Sequence, residues 1–225
     1  MRWPLTPYGA RELTVGTMLL AGACVAVLCL LPWWLVVVPA VLWVFLVSFF
    51  RDPVRVPPDG DDVVVSPADG CVADVEEVAE GDFLGCPAVR VGIFMSLFNV
   101  HVNRAPLSGT VGFREHRPGK FHNAMLPEAS RENECLLLGV ERADGLRYLV
   151  KQVAGLVARR IVCEPAVGSA VVRGERYGMV KFGSRLEVYV PVSTGFEASV
   201  SVGDRVRAGS SALGTLGSTG GGDGS

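Results

Sequence analysis

Histidine is scarce in this sequence, and cysteine pairs of the metal-binding kind are missing. The 225 residues include three histidines and six cysteines, at positions 24, 29, 71, 86, 135 and 163. No two cysteines form a C-x-x-C pair, so zinc-ribbon and thioredoxin-like sites have no support. We therefore predict that no metal is bound. The scattered cysteines are typical of free thiols in a reducing compartment rather than of a disulfide framework.

An excess of positive charge is also missing. The chain has 21 Lys and Arg against 23 Asp and Glu, for a formal net charge of −2. Nucleic-acid-binding domains usually carry a basic patch that neutralises phosphates. The composition therefore predicts no nucleic-acid partner.

Charged residues are entirely absent from Leu13 to Phe50. One straight helix of that length would extend about 57 Å, against a hydrocarbon core of about 30 Å. Pro32 lies near the middle and is followed by Trp33 and Trp34, and proline interrupts a helix while tryptophan favours the membrane interface. We predict an N-terminal membrane anchor over residues 1–50, a hairpin of two short helices at about 13–31 and 33–50.

The charges that flank the apolar run predict its orientation. Arg2 and Arg11 precede it, and Arg51 and Arg55 follow it. The positive-inside rule then puts both ends, and the domain that follows, on the cytoplasmic face of the cell membrane. A full span and a shallow re-entrant hairpin both remain open. A cleaved secretory signal is disfavoured, because its apolar core would be only about 7–15 residues long.

After a proline-rich linker at 51–62, the sequence changes to short apolar stretches separated by Gly, Pro, Asp and Asn. This pattern predicts a mainly β domain over 63–216, of barrel or sandwich type. The segment 151–163 is compatible with a short helix or with a pair of strands. The Gly/Ser-rich end of the chain, 217–225, is expected to be disordered.

Two segments look like matching turns of a barrel-sandwich hybrid. They cover residues 65–72 and 202–209, and the second resembles the G-D-x-V-x-x-G turn of biotinyl and lipoyl carrier barrels. No lysine is displayed on a hairpin there, so the likeness concerns the fold and not a carrier function.

The pair Gly183–Ser184 precedes an alternating stretch in which Leu186, Val188 and Val190 share one face. Ser184 is therefore predicted to begin a half-buried strand. Glycine leaves its carbonyl unshielded and tolerates unusual backbone angles, which suits attack by the serine oxygen on the preceding carbonyl. Other Gly–Ser pairs occur at 168, 209, 217 and 224, and an isolated pair of this kind usually indicates only a turn.

A series of ordered motifs distinguishes this pair from the others. Together they resemble the short, bacterial and archaeal type of phosphatidylserine decarboxylase. The motifs are FFRDP at 49–53, SPADG at 66–70, FMS at 94–96, NVHVNRAP at 99–106, PGKF at 118–121, SRENE at 130–134, QVAG at 152–155 and KFGSR at 181–185.

The resemblance implies roles for several residues. Ser184 would be the precursor of a pyruvoyl group, made when the chain cuts itself between Gly183 and Ser184 into a β chain (1–183) and an α chain (184–225). This group would form a Schiff base with the amine of phosphatidylserine and release carbon dioxide, giving phosphatidylethanolamine without pyridoxal phosphate. His101 would be the base and proton donor, and Asp69 would orient it. The long-type members have a second histidine three residues away, which this sequence lacks.

The partners implied are a membrane phospholipid and the chain's own two products, assembled as a heterodimer or a higher oligomer. Arg104 and Lys120 are candidates for binding the lipid phosphate or carboxylate. An archaeal diether lipid, archaetidylserine, is the alternative substrate, because the sequence does not distinguish the two lipid backbones. Two rival interpretations are a non-enzymatic membrane adaptor and a serine hydrolase that uses Ser184, His101 and Asp69. No G-x-S-x-G elbow surrounds Ser184, which disfavours the hydrolase.

Overall fold

The computed structural model describes residues 4–156, 160–181 and 183–217. The chain divides into two compact units, Met1–Val54 and Arg55–Ser225. Phe182 of the KFGSR motif and the tail from residue 218 onward, which was expected to be disordered, lie outside the described residues.

The first unit consists of two apolar helices. Helix α1 spans Ala10–Leu30, a 3₁₀ turn covers Trp33–Val36, and helix α2 spans Val37–Phe49. The break falls at Pro32, because proline cannot supply the backbone N–H that a continuous helix needs there. The first helix begins three residues earlier than predicted, and the 3₁₀ turn delays the second. By length and composition, the helical stretch Pro7–Leu30 is long and apolar enough to cross a membrane, and Trp33–Phe49 is shorter.

A polar contact joins the two helices. The Trp43 indole Nε1 donates a hydrogen bond to the Thr17 hydroxyl at 3.1 Å. The ends of the unit also pair, since the Thr6 N–H donates to the Phe50 carbonyl at 2.9 Å. The two helices therefore form a closed hairpin within this unit.

The second unit is mainly β, which confirms the predicted fold class. Within the described residues it contains one short helix, α3 (Pro127–Glu132), and the strands β1 (Val63–Val65), β2 (Gly70–Glu80), β3 (Cys86–Met95), β4 (Val102–Arg104), β5 (Gly109–Arg117), β6 (Cys135–Glu141), β7 (Arg147–Val153), β8 (Ile161–Cys163), β9 (Ala170–Val171), β10 (Arg176–Val180), β11 (Ser184–Pro191), β12 (Glu197–Ala198), β13 (Arg205–Val206) and β14 (Ala212–Thr215).

These strands form one large sheet and two small ones. The eight-stranded antiparallel sheet has the order β13-β2-β3-β11-β7-β6-β5-β9, and the three-stranded sheets have the orders β1-β14-β12 and β4-β10-β8. The segment 151–163, left open between helix and strands, contains the end of β7 and all of β8.

The two segments predicted to be matching turns lie side by side. Strand β13 pairs with β2, with Arg205 opposite Cys71 and Val206 opposite Gly70. The Gly209 N–H also donates to the Ser66 carbonyl at 2.7 Å. The two segments are therefore hydrogen-bonded to each other in the fold.

Strand β11 differs from its prediction in one respect. Leu186, Val188 and Val190 do lie in the main hydrophobic core. However, all eight residues of the strand are buried, so the expectation of a half-buried strand is wrong. The opposite face carries Arg185 and Glu187, which tolerate burial because they are paired with each other.

The charges of this face form a network that joins β11 to β2. Arg185 Nε donates to Glu187 Oε1 at 2.6 Å, and the Arg185 guanidinium also contacts Asp74. A Cβ on Gly92 would overlap that guanidinium, so the glycine leaves room for Arg185 to reach Asp74. The Tyr189 hydroxyl donates to Glu187 Oε2 at 2.6 Å.

The network changes the acidity of Glu187. Burial by itself raises the pKa of this carboxyl, but the charges of Arg185 and Lys151 and the hydrogen bonds from Tyr189 and Ser130 outweigh it, so the pKa lies below its ordinary value of 4.5. A carboxyl with a depressed pKa stabilises the fold above that ordinary value, and the stabilisation is lost as the pH falls through the folded-state pKa.

Replacing this carboxylate should destabilise the domain. We expect Glu187→Gln to lower the free energy of unfolding by about 3 kcal/mol at pH 7, because it removes the fully buried one of the two carboxylates that pair with Arg185. The measurement is reversible urea unfolding of the full chain in detergent micelles, made in a Ser184→Ala background so that a single uncut chain unfolds and refolds. The exposed Glu77 on β2 provides the control Glu77→Gln, for which a change within about 0.5 kcal/mol is expected.

The pH dependence gives a second check on the same pair of variants. The difference between wild type and Glu187→Gln should shrink as the pH falls from 4.5 through the lower pKa of the folded-state carboxyl, because the wild-type side chain then takes up a proton as well. Equal free energies of unfolding for Glu187→Gln and Glu77→Gln at pH 7 would contradict this account of the network.

Candidate active site

The candidate nucleophile lies at the first residue of β11. Ser184 is opposite Met95 of β3 and is fully buried. Its Oγ has no hydrogen-bond partner among the residues that the structure describes. A buried hydroxyl without a partner costs about 1–3 kcal/mol, and such an atom is a common sign of a reactive group held in place by the surrounding fold.

Gly183 has a backbone conformation that suits the residue before this serine. Its φ is +64°, in the left-handed region that glycine adopts without strain. Gly168 and Gly209 share that conformation and also precede serines. Of these three pairs, only the serine at 184 is fully buried; Ser169 and Ser210 are partly exposed.

His101 lies beside the Gly183–Ser184 bond. The imidazole is fully buried, and its Nδ1 is 3.0 Å from the Asn99 carbonyl oxygen. The Gly183 N–H donates to His101 Nε2 at 3.4 Å. A carbonyl oxygen only accepts, so Nδ1 carries the proton and Nε2 presents a lone pair. The basic nitrogen thus faces the residue just before Ser184.

A turn before His101 holds its partner in place. The Asn99 Oδ1 accepts from both the backbone N–H and the hydroxyl of Ser96, at 2.8 and 2.7 Å. The Asn99 backbone N–H in turn donates to the Ser96 carbonyl at 3.0 Å. The turn therefore fixes the carbonyl that sets the tautomer of His101.

Asp69 is a buried carboxylate in the turn before β2. Its Oδ2 is 2.8 Å from the Arg55 guanidinium, and its Oδ1 accepts from the Ala208 N–H at 2.8 Å. Asp69 thus pairs with a cation and accepts from a backbone N–H. The Nδ1–H of His101 donates instead to the Asn99 carbonyl. The orienting role expected for Asp69 stays a prediction.

Arg104 and Lys120 lie in different environments. Arg104 is buried, and its Nη1 donates to the Gly174 carbonyl at 2.9 Å. Lys120 has a side chain that is 67% exposed and is paired with Glu132 at 2.9 Å. Of these two candidates for lipid binding, Lys120 is therefore the one that faces solvent.

Gly155 is a site residue that the sequence did not single out. A Cβ at this buried position would overlap the carbonyl oxygen of Gly183. The nearby Asn133 amide donates to the Ala154 carbonyl at 2.8 Å and fixes this loop. Gly155 belongs to the QVAG motif, so the sequence indicated that this segment is important. It did not indicate that the Gly183 carbonyl packs against Gly155.

The arrangement brings together Gly183, Ser184, His101 and Gly155. It contains the buried hydroxyl of Ser184, the unprotonated Nε2 of His101, and the Gly183 carbonyl packed against the backbone of a glycine. These are the parts that an intramolecular attack on the Gly183 carbonyl needs.

Comparison with known proteins gives one consistent family. The sequence model of the family described as phosphatidylserine decarboxylase matches residues 42–214. A phosphatidylserine decarboxylase proenzyme of Syntrophus aciditrophicus is 46% identical over 183 residues, which are 81% of this chain and 85% of the relative. One from Symbiobacterium thermophilum is 48% identical over 198 residues, or 87% and 91%.

A third proenzyme, from Geotalea uraniireducens, is 46% identical over 198 residues, 88% of this chain and 92% of the relative. The family match over residues 42–214 includes both Ser184 and His101. It overturns the interpretation of the chain as a non-enzymatic membrane adaptor. The chain therefore belongs to the phosphatidylserine decarboxylase family and is an enzyme of the decarboxylase class.

Proposed function

We propose that this chain is a phosphatidylserine decarboxylase that cuts its own Gly183–Ser184 bond and converts Ser184 into a pyruvoyl group. The observation that carries the proposal is the buried Ser184 hydroxyl without a partner, next to a left-handed glycine whose N–H faces Nε2 of His101. The name of the relatives, proenzyme, supports a precursor that must be processed.

The cleavage begins with an acyl shift. The Ser184 Oγ gives up its proton and forms a bond to the Gly183 carbonyl carbon, while the amide bond to the Ser184 nitrogen breaks and that nitrogen takes a proton. The product is an ester. Loss of the Ser184 α-proton then breaks the Cβ–Oγ bond, which releases Gly183 as a carboxylate and leaves dehydroalanine. Water adds, ammonia leaves, and residue 184 becomes the pyruvoyl end of the α chain.

His101 is the proposed base for the first step. Serine at its ordinary pKa is a weak nucleophile and needs a neighbouring base. The lone pair on Nε2 suits that task, because the Asn99 carbonyl holds the proton on Nδ1. After cleavage, the same nitrogen would return a proton to the substrate carbon that has lost carbon dioxide.

Asp69 is proposed to stabilise the charged form of His101. Its bonds to Arg55 and to the Ala208 N–H favour the ionised carboxylate in one fixed orientation. A fixed negative charge suits an electrostatic role better than that of a second proton acceptor.

A pyruvoyl carbonyl, once formed, supplies the electron sink that decarboxylation of an amino acid requires. Phosphatidylserine is the proposed substrate, with archaetidylserine as the alternative by the same chemistry. Lys120 and Arg104 are proposed to bind its anionic groups. The apolar helices are proposed to hold the enzyme on the cytoplasmic face of the cell membrane, and residues 1–183 and 184–225 would remain associated as a heterodimer.

The first test is the mass of the purified protein. We expect two chains, 1–183 and 184–225, in place of one chain of 23.9 kDa, and a blocked N-terminus on the smaller one. Ser184→Ala should give one uncut and inactive chain, because the nucleophile is gone. Ser210 also follows a left-handed glycine, so Ser210→Ala is the matched control. This variant should still be cut between Gly183 and Ser184. Active enzyme with an intact, unmodified Ser184 would refute the proposal.

The role of His101 is tested by the rate of processing. His101→Ala should slow the appearance of the two chains about 10²–10⁴-fold, the usual contribution of a general base. Asp69→Asn should slow it less, because the base is still present. His122, whose side chain is 41% exposed, provides the control variant His122→Ala. Processing at the wild-type rate in His101→Ala would show that another group activates Ser184.

Gly155 gives a steric test of the same step. We expect Gly155→Ala to slow processing about 10²-fold, because the new methyl group displaces the Gly183 carbonyl from its position against residue 155. Gly81→Ala is the control, since a Cβ there meets no atom within 4 Å. Hydroxylamine cuts esters, so it should release the α chain from wild-type precursor but not from Gly155→Ala. Normal cleavage of the alanine variant would contradict this role.

A further inference from the structure

Five large apolar side chains are exposed on the loops around the candidate active site. They lie between 38% and 76% exposed and form what we call the apolar rim: Leu97, Phe98, Met125, Leu126 and Leu156. Single exposed apolar side chains are common on proteins, but clusters of them are not. Such clusters mark surfaces that contact a partner or a membrane.

The loops that carry the rim meet at Gly183. A Cβ built on Gly183 would lie 4.0 Å from Leu97 Cδ2, and one built on Gly155 would overlap the Gly183 carbonyl oxygen. The same position on Gly155 is 3.4 Å from the Ala124 methyl group. The residues next to these contacts are the rim residues, so the rim surrounds the bond that the enzyme is proposed to cut.

Hydrogen bonds hold two of these loops in place. The Asn123 Oδ1 accepts from the Met125 N–H at 3.1 Å, and the Leu126 N–H donates to the Asn123 carbonyl at 2.9 Å. The buried Asn133 side chain donates to the carbonyls of His122 and Ala154, at 2.9 and 2.8 Å. The segments that carry Met125, Leu126 and Leu156 are therefore hydrogen-bonded within the protein.

The remainder of the catalytic unit does not expose side chains of this kind. Within the described part of residues 55–217, the other exposed large apolar residues are all valines, Val56, Val167, Val172, Val192 and Val202. Exposed leucine, methionine and phenylalanine occur in that part of the chain at the rim alone. This restriction ties the apolar surface to the site rather than to the general surface.

We propose that the apolar rim inserts into the surface of the lipid bilayer and brings the active site to the headgroup layer. The inference rests on the proposed function, since a substrate with two acyl chains stays in the bilayer while Ser184 is fully buried in the protein. Phenylalanine, leucine and methionine gain most from leaving water for the boundary between headgroups and acyl chains. The N-terminal helices would keep the enzyme at the membrane, and the rim would place its site against the lipid.

Kinetics on two forms of the substrate test this role. Phe98→Asp and Met125→Asp in the full chain should lower kcat/KM for phosphatidylserine in vesicles about tenfold each, because a charge opposes insertion. Activity on a short-chain phosphatidylserine dispersed as monomers should be unchanged, as should self-cleavage. Val202→Asp is the control, being as exposed as Met125 but outside the rim. Equal losses on both substrates, an equal loss in Val202→Asp, or no loss on vesicles would overturn the proposal.

Photocrosslinking provides a readout that does not require catalysis. The full chain is bound to phosphatidylcholine and phosphatidylglycerol vesicles that contain a phospholipid with a diazirine at the glycerol end of an acyl chain. Crosslinked peptides are expected from 96–98 and 123–126 as well as from the helices, and the two Asp variants should lose the former. Crosslinks confined to residues 1–54 would refute membrane insertion of the rim. If the wild type crosslinks at the rim but decarboxylates neither substrate, the proposed function fails and the docking surface stands.

Discussion

The hydrogen bonding of β11 on both of its edges is the constraint on which the candidate site depends. The strand pairs with β3 along all eight of its residues and with β7 along five. A strand held on both edges cannot shift its register without losing both sets of bonds. Because Ser184 is the first residue of that strand, its position is fixed by the sheet, and the chain leaves the sheet just before it, at the left-handed Gly183.

The two faces of β11 have opposite chemical character. On one face Ser184 continues into the apolar core of Leu186 and Val188, and its side chain is fully buried. On the other face Arg185 and Glu187 form a buried ion pair. Alternation along the strand places these charges on the face opposite the serine, although both lie within three residues of it in sequence. The candidate site therefore combines a buried serine hydroxyl with a strand that electrostatic contacts hold in position.

The sequence predicted the parts of this structure that depend on short-range pattern. Alternation after Ser184 located β11, and the break at Pro32 divided the two apolar helices. The burial of Arg185 and Glu187 could not be predicted, because Asp74, the second partner of Arg185, is more than a hundred residues away in sequence and becomes adjacent only through β3. The same holds for Gly155, whose contact with Gly183 joins two separate loops. The tautomer of His101 also depends on a carbonyl that only the folded turn presents.

The order of strands would determine how long the two chains stay together if the precursor is cut as proposed. Residues 184–225 would supply β11 to the middle of the large sheet, β13 to its edge and β14 to the middle of a small sheet, each bonded to strands of the larger product. Two chains interwoven in this way cannot separate unless both sheets open together. Once separated, the short chain would have to find three distant sets of partners without the covalent connection that guided the precursor. The mature enzyme would therefore persist through a high barrier to unfolding rather than through an ability to refold.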